Sequence, residues 1–266
     1  MASRRTVTAL LLGDVIGRPG CRALFITLPQ LIKTHRADCV IVNGENADEG
    51  FGLTRDIADQ LFAAGVNVIT SGNHIWQREE FLPTLKSDSR ILRPANYHSS
   101  APGIGSTIIN LPKARIGVIN LQGRHQLPPI ENPFTVASSI VDRLSKNCDA
   151  IIVDFHAELP QEKQALAHYL DGKVSALVGT HTHVQTMDER ILANGTAYIS
   201  DLGMCGPFDS VIGSDPAIAI ERQLAQIPYR NQILDAPASI QGVVVTIDLD
   251  TKAARSIKRI KVDAGV

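Results

Sequence analysis

Five short apolar runs along this chain are each followed by polar side chains of the types that bind metal ions. The runs cover residues 10–12, 40–42, 68–70, 151–153 and 176–178. Helix-like segments separate them, as in residues 22–36, where apolar residues recur at helical spacing. Short apolar runs that alternate with helical segments predict the strands of a largely parallel sheet.

The order of the predicted elements indicates an α/β fold. The first helix contains Pro29, which would kink or interrupt it, and Thr54 is an expected N-cap for the second. Further helices are expected over residues 54–64, 77–85, 133–146 and 161–170. Turns between paired strands are expected at residues 112–113, 194–195 and 250–252. We expect one domain, residues 1–266, in which two mixed sheets pack face to face with helices outside.

The composition narrows the classes of protein that the chain can belong to. Hydrophobic residues make up 44%, charged residues 20%, and the formal net charge is −1, which gives no general attraction to nucleic acid or membranes. The basic residues 1–5 precede an apolar stretch without a cleavage site, so we interpret residues 9–12 as a strand rather than a signal peptide. Four scattered cysteines indicate reduced thiols and a cytoplasmic protein.

The polar residues after the apolar runs are the candidate functional residues. Ligands gather at the carboxyl ends of parallel strands, so these side chains are expected to converge. Carboxylate and amide oxygens together with imidazole nitrogens suit divalent transition metals such as Mn, Fe or Zn. We therefore predict a two-metal hydrolase. The candidates are Asp14, Glu45, Asn46, Asn73, His74, His156, His181 and His183.

Each candidate also has a purely structural interpretation. Asp14 could cap the helix that follows it, and His156 could be a core histidine bonded to the backbone. Asn43 and Asn46 could form an asparagine-rich turn, although this leaves Glu45 unexplained. These interpretations need a separate cause at every strand end, whereas one metal site accounts for all of them.

The spacing of the remaining candidates suggests their roles. On a strand, His181 and His183 would share a face and bind one ion or two neighbouring ions. Asn73 and His74 are adjacent, so we expect Asn73 to bind metal and His74 to face the substrate as an acid or phosphate donor. Arg124, after another predicted strand, could clamp a phosphate oxygen or be an ordinary surface arginine.

Other common catalytic motifs are absent from the sequence. The chain contains no Gly-x-Gly-x-x-Gly dinucleotide fingerprint and no Walker A motif. It also lacks a Gly-x-Ser-x-Gly nucleophile elbow and a His-Glu-x-x-His zinc motif. The metal-site interpretation therefore has no competing motif in this sequence.

The motifs GDVIGRPG, NGENA, GNHIW, RPANY, INLQGR, DFHAE, GTHTHVQT and GTAYISDLGMCGP extend over almost the whole chain. Their sequence of Asp14, an acid, GNH, an isolated His156 and a His-x-His pair resembles the signature of calcineurin-like metallophosphoesterases. Val15 and Ile16 replace the rest of the usual Asp-x-His motif, and Glu45 stands where aspartate is common. Those departures resemble one bacterial branch, the YmdB-like phosphodiesterases.

The resemblance implies a four-layer α/β/β/α sandwich that holds two divalent or trivalent metal ions. Iron or manganese is expected in these positions, with zinc as an alternative. Asn46 would fill or support the position of the missing Asp-x-His histidine. The ligands implied are Asp14, Glu45 and His183 for one ion, and Asn73, His156 and His181 for the other, with Glu45 bridging.

The function implied is hydrolysis of a phosphodiester, notably a 2′,3′-cyclic nucleotide, by a hydroxide that the two ions share. His74 would stabilise the phosphoryl charge or protonate the leaving group, and Arg124 would bind substrate. A phosphomonoesterase or nucleotidase, a non-catalytic nucleotide-binding regulator and a single-metal oxygenase are the alternatives. The expected partner is a nucleotide-like phosphodiester substrate. No membrane association and no stable complex with nucleic acid are expected, and a homo-oligomer is compatible with the sequence.

Overall fold

Two six-stranded mixed sheets stack face to face in the computed structural model, which describes residues 5–227 and 230–265. The first sheet contains β1 (Thr6–Val15), β2 (Cys39–Asn43), β3 (Val68–Thr70), β10 (Met204–Pro207), β11 (Ala238–Asp248) and β12 (Ala254–Asp263). The second contains β4 (Ser106–Asn110), β5 (Arg115–Gln122), β6 (Ala150–His156), β7 (Ala176–Thr180), β8 (Arg190–Ile191) and β9 (Ala197–Ile199). Residues 1–4 of the basic start lie outside the described residues.

Parallel strands form the centre of each sheet. In the first sheet β1 pairs in parallel with β2 and β10, and β2 with β3. In the second sheet β5, β6, β7 and β9 are parallel neighbours in that order. The antiparallel strands β11 and β12, β4 and β8 lie towards the edges. The carboxyl ends of the central strands therefore meet at one end of the stacked sheets.

Helices cover the outer face of each sheet, and this arrangement confirms the predicted four-layer α/β/β/α sandwich. The helices are α1 (Gly17–His35), α2 (Arg55–Ala63), α3 (Leu82–Ser87), α4 (Pro133–Leu144), α5 (Pro160–Leu170) and α6 (Pro216–Ala225). The first three pack on the first sheet, and α4 and α5 pack on the second. No residue of α6 is buried. Within the described residues, no helix is long and apolar enough to cross a membrane.

A shared apolar core joins the two sheets. Leu11 and Ile41 of the first sheet belong to the same buried cluster as Val118, Ile152 and Val178 of the second. The alternate residues on these strands face the helices instead, so both faces of the central strands are buried. Burial on both faces explains why the strands are apolar at consecutive positions rather than at alternate ones.

Most predicted elements agree with the structure, with three differences. The first helix begins at Gly17, ahead of the apolar pattern of residues 22–36 and two residues before Pro19, which suits a helix start, and it continues past Pro29 to His35. The helix predicted over residues 77–85 is a single 3₁₀ turn followed by α3. Strand β10 and helix α6 were not predicted from the sequence. The N-cap at Thr54 is confirmed, because its side chain accepts a hydrogen bond from the amide of Ile57.

A buried ion pair links α5 to the segment after β9. Lys163 donates from Nζ to Oδ2 of Asp201 at 2.8 Å, and the two side chains are 1% and 2% exposed. The same carboxylate accepts hydrogen bonds from the amide and hydroxyl of Thr182 and from the amide of Gly203. Asp201 therefore fixes the loop that follows β7, where two of the candidate histidines lie.

We expect Lys163→Ala to destabilise the fold by about 3–5 kcal/mol, because it leaves the carboxylate of Asp201 buried without a counter-charge. Urea denaturation would measure the free energy of unfolding. Lys146→Ala removes an exposed lysine and serves as the matched control. A loss that matches the control would contradict the importance of the buried pair.

Candidate metal centre

The strand-end residues converge on one buried group between the two sheets. Asp14 lies in β1, and Glu45 with Asn46 follows β2. Asn73 and His74 follow β3 in the same sheet. The second sheet contributes the other three residues: His156, the last residue of β6, and His181 and His183, which follow β7.

Three of these residues form a compact cluster. Oε1 of Glu45 lies 3.0 Å from Nε2 of His156, which in turn lies 3.0 Å from Nδ1 of His181. Each of the three offers one ligand atom within 4.8 Å of the others. Metal–nitrogen bonds are about 2.0–2.1 Å long, so two adjacent ligands of one ion are separated by about 3 Å. The distances in this cluster therefore fit a shared cation.

A second group of residues also contacts Oε1 of Glu45, through Asn46. Nε2 of His183 is 3.7 Å from Oδ1 of Asp14. The amide nitrogen of Asn46 lies 3.2–3.4 Å from His183, from Asp14 and from Oε1 of Glu45. Glu45 thus contacts both groups, as a bridging carboxylate must. In this orientation Asn46 donates to the other residues, and its oxygen would reach an ion only with the amide reversed.

Three histidines direct one ring nitrogen inwards and bond the other to a fixed acceptor. Metal-binding histidines show this pattern, because the outer hydrogen bond sets the tautomer and the ring orientation. The outer partners of His156, His181 and His183 are Oγ1 of Thr180 at 3.0 Å, Oε2 of Glu158 at 3.1 Å and the carbonyl of Ile212 at 3.0 Å.

Behind His156 the hydrogen bonds continue into the second sheet. Thr180 donates to Oδ1 of Asp154 at 2.8 Å, and Asn43 donates to its other oxygen at 3.3 Å. Asn43 also accepts from the amide of Glu45 at 3.2 Å, so the turn interpretation is correct for this asparagine. Asp154 therefore orients His156 through Thr180 rather than by direct contact.

Asn73 supplies an oxygen that lacks a hydrogen-bond partner among the described residues. Its Oδ1 is buried and accepts no hydrogen bond from the described residues. A buried polar atom without a partner is costly, and a cation is one group that would satisfy it. The preceding Gly72 is required here, since an added Cβ would lie 2.3 Å from Nε2 of His156 and 2.4 Å from Oε2 of Glu45.

His74 lies at the margin of the buried group. Its backbone amide donates to Oε2 of Glu45 at 3.1 Å. Its ring nitrogens contact two side-chain amides, Nε2 that of Asn73 at 3.1 Å and Nδ1 that of exposed Gln77 at 2.7 Å. Burial lowers the pKa of His74 below its usual value. The ring is therefore a neutral hydrogen-bonding group next to the cluster.

His181 and His183 do not lie on a strand, so the expectation that they share one strand face is wrong. Strand β7 ends at Thr180, and both histidines have positive φ angles, 105° and 64°. Such angles are strained for residues other than glycine, and they persist only where surrounding contacts impose them. Here the hydrogen bonds from Thr182 to Asp201 hold the loop between the two histidines.

The structure decides the alternative interpretations of Asp14 and locates Arg124 after β5. Asp14 does not cap α1, whose N-cap is Ile16 without a side-chain hydrogen bond. Its Oδ2 instead accepts from the amide of His181 at 3.2 Å. Arg124 is exposed after β5, where its amide donates to Glu162, and it is not among the described residues that line the cavity beside the candidate metal ligands.

Electrostatic coupling across the group shifts four pKa values. Burial disfavours both charges of the pair formed by Glu45 and His156, but their attraction prevails: the pKa of Glu45 falls to about 2 and that of His156 rises to about 9. Burial and the nearby His156 lower the pKa of His181 to about 3. Burial raises the pKa of Asp14 to about 6, although His183 opposes this.

A cavity of about 300 Å³, the inner cavity, opens onto these residues. Its walls include His74, Glu158, and Phe51, a residue that was not predicted from the sequence. Asp201 was also missed, although it follows the apolar strand β9 and so obeys the same strand-end pattern. Phe51 has no such signal, because it lies between two glycines in a turn.

Comparison with known proteins finds relatives that match almost the whole chain. The family model of YmdB-like proteins matches residues 10–260. The chain is 42% identical to the 2′,3′-cyclic-nucleotide 2′-phosphodiesterase of Bacillus subtilis, with 96% of each chain covered. A crystal structure described as a novel phosphatase from Mycoplasma pneumoniae superposes with a TM-score of 0.92 at 37% identity, covering 98% of this chain and 95% of that one.

A second solved structure, a hypothetical protein from Thermus thermophilus, superposes with a TM-score of 0.90 at 34% identity. It covers 97% of this chain, which in turn covers 99% of it. The relatives therefore match the whole sandwich, including both sheets that supply the clustered residues. With the family model matching nearly all of its length, the chain belongs to the YmdB-like family.

Proposed function

We propose that this protein is a dinuclear metal-dependent phosphodiesterase that hydrolyses 2′,3′-cyclic nucleotides. The observation that carries the proposal is the set of three histidines with oriented rings around one buried carboxylate, Glu45. The similarity to the Bacillus subtilis 2′,3′-cyclic-nucleotide 2′-phosphodiesterase supports this substrate class. A plain nucleotide-binding protein would not need such a concentration of metal-binding atoms at the end of a cavity.

The proposed ligand sets combine the two groups that Glu45 contacts with the unpartnered oxygen of Asn73. Mixed oxygen and imidazole donors favour iron or manganese, with zinc as an alternative. Two such ions would supply positive charge that acidifies a water molecule and stabilises the phosphoryl oxygens. One ion would bind to Asp14, Glu45 and His183, with Asn46 in support, and the other to Glu45, Asn73, His156 and His181.

The reaction that fits this site exchanges one phosphorus–oxygen bond for another. A water oxygen forms a bond to phosphorus, the bond from phosphorus to the 2′-oxygen breaks, and that oxygen takes a proton, which leaves a 3′-phosphate. His74, at the edge of the inner cavity, is placed to donate to a phosphate oxygen or to the leaving oxygen. Its other ring nitrogen, Nδ1, contacts the side-chain amide of exposed Gln77 at 2.7 Å.

The proposal extends to the whole chain as one catalytic unit, residues 1–266. The clustered residues come from both sheets, and the two sheets share an apolar core, so neither sheet could form the site alone. A cytoplasmic location is part of the proposal because Cys21, Cys39, Cys148 and Cys205 are all buried free thiols. Such thiols suit a reducing compartment. Arg124 remains a proposed substrate contact only for groups that extend beyond the inner cavity.

Binding of metal at pH 7 should release protons and should tighten as pH rises. The pKa of His156 near 9 means that this ring is protonated below pH 9 in the metal-free protein, whereas an imidazole ligand must be neutral. Calorimetric titration with Mn²⁺ in buffers of different ionisation enthalpy would count the protons. His98→Ala, at an exposed histidine, is the control. Affinity that does not change between pH 6 and pH 9 would contradict this assignment.

The protein stripped of metal and reconstituted with Mn²⁺ should hydrolyse 2′,3′-cyclic AMP, and the stripped protein should not. Glu45→Gln should abolish this turnover, because it removes the charge that joins the two groups. The rate on para-nitrophenyl phosphate, measured in parallel, distinguishes a phosphomonoesterase. Faster hydrolysis of that monoester would favour the monoesterase, and two bound ions without turnover of either compound would favour a regulator.

His74→Ala should keep its metal and lose about 10²–10⁴-fold in kcat, the usual contribution of a positioned proton donor. Metal content by mass spectrometry and steady-state kinetics give the two readings. His98→Ala should change neither. Loss of metal in the His74 variant would instead make this residue a ligand.

A further inference from the structure

A second cavity continues from the inner cavity away from the metal ligands. This outer cavity has a volume of about 820 Å³, nearly three times that of the inner one. Phe51, Asn231 and Ile233 line both, so the two spaces are contiguous. Small-ligand sites occupy roughly 300–1,000 Å³, which means that the inner cavity is small for a nucleotide and the two together are large.

The wall of the outer cavity is chemically suited to an anion. Arg18, Arg78 and Arg230 line it, together with the carboxylates of Glu49 and Asp235. Both carboxylates are paired: Glu49 lies 3.0 Å from Nε of Arg18, and Asp235 lies 3.2 Å from Arg22. Arg78 pairs with Asp48 at 2.6 Å, so the excess of positive charge at the cavity comes from Arg230. Guanidinium groups bind phosphate by paired, charge-assisted hydrogen bonds.

The junction of the two cavities presents an aromatic ring. Phe51 is 36% exposed, and its ring meets that of His74 edge-on, with 5.0 Å between centroids. Gly50 and Gly52, both with φ of 84°, form the turn that carries Phe51, and Arg78 donates from Nε to its carbonyl at 3.1 Å. Any of the nucleic-acid bases can stack on such a ring, because every base has a flat aromatic face.

The junction also contains an acceptor without a partner. Oδ1 of Asn231 is buried and accepts no hydrogen bond from the described residues. The segment that carries it is held to the loop before α6 by backbone bonds from Asp215 to Gln232 and from Leu234 to Gly213. A donor on a ligand, such as a ribose hydroxyl or a base amine, would satisfy this oxygen.

We infer that the outer cavity binds a second phosphate, attached to the 5′-oxygen of the nucleotide whose cyclic phosphate lies at the metal ligands. This inference rests on the proposed function. With the cyclic phosphate at the inner end, the base stacks at Phe51 and the 5′-oxygen points towards Arg18 and Arg230. The 5′-phosphate can be a terminal one or the link to a preceding nucleotide, as at the 3′ end of a short RNA fragment.

Three substrates separate these possibilities: 2′,3′-cyclic AMP, its 5′-phosphorylated form, and the dinucleotide ApA with a terminal 2′,3′-cyclic phosphate. We expect kcat/KM to be about tenfold higher for both 5′-phosphorylated compounds than for 2′,3′-cyclic AMP, the value of one charge-assisted contact. A gain for the dinucleotide alone identifies the RNA end, and a gain for the 5′-phosphate alone identifies a mononucleotide. Equal kcat/KM for all three would overturn the inference.

The double variant Arg18→Gln/Arg230→Gln should reduce the ratio of kcat/KM between phosphorylated and unphosphorylated substrates to about one. Arg55→Gln, which removes an exposed arginine on α2, should keep the ratio of the unchanged protein. A ratio that survives in the double variant would refute the assignment of the two arginines.

Binding of products gives a reading that does not depend on turnover. Calorimetry should show adenosine 3′,5′-bisphosphate binding about tenfold more tightly than 3′-AMP to the protein with Mn²⁺, and equal binding in the double variant. If no cyclic compound is hydrolysed but this difference in binding persists, the phosphodiesterase proposal fails and the second phosphate site stands. If hydrolysis occurs without any difference in binding, the reverse holds.

Discussion

The contact between Glu45 and His156 is the interaction on which the rest of the site depends. Glu45 comes from the first sheet and His156 from the second, and their side chains are 1% and 0% exposed. Charges buried this deeply are tolerated only when they are paired and hydrogen-bonded. The paired shifts of their pKa values, downwards for the acid and upwards for the histidine, come from their mutual attraction, which outweighs the opposite effect of burial.

Around this contact, a few residues of the fold fix the positions of the site side chains. Gly72 lets β3 approach His156, and Thr180 fixes the ring of His156 from the adjacent strand. Lys163 and Asp201 form a second buried pair, and Asp201 holds the loop of His181 and His183 by a hydrogen bond from Thr182. The candidate metal ligands are thus positioned by surrounding residues that are themselves buried, as precise sites require.

Much of the fold and of the candidate site could be predicted from the sequence, because one rule places most of the site residues. Apolar runs followed by Asp14, Glu45 or His156 mark the carboxyl ends of parallel strands, and topology brings those ends together. The rule fails where backbone conformation departs from the strand. Nothing in the residues His181 and His183 reveals their positive φ angles, which depend on contacts with Asp201 distant in sequence. Phe51 and the outer cavity likewise carried no local signal, because they depend on how the turn after Glu45 meets the distant segment around Ile233.

The division of the ligands between two sheets has a consequence for how this protein tolerates change. A cation bound there would act as a reversible cross-link between the two sheets of the sandwich, much as a disulfide joins two loops. Its binding energy would add to the stability of the fold in proportion to occupancy. Substitutions in the shared core, at Leu11 or Val178 for example, would then weaken metal retention before they unfold the protein. The supply of metal would then determine how much destabilisation by substitution the fold can withstand.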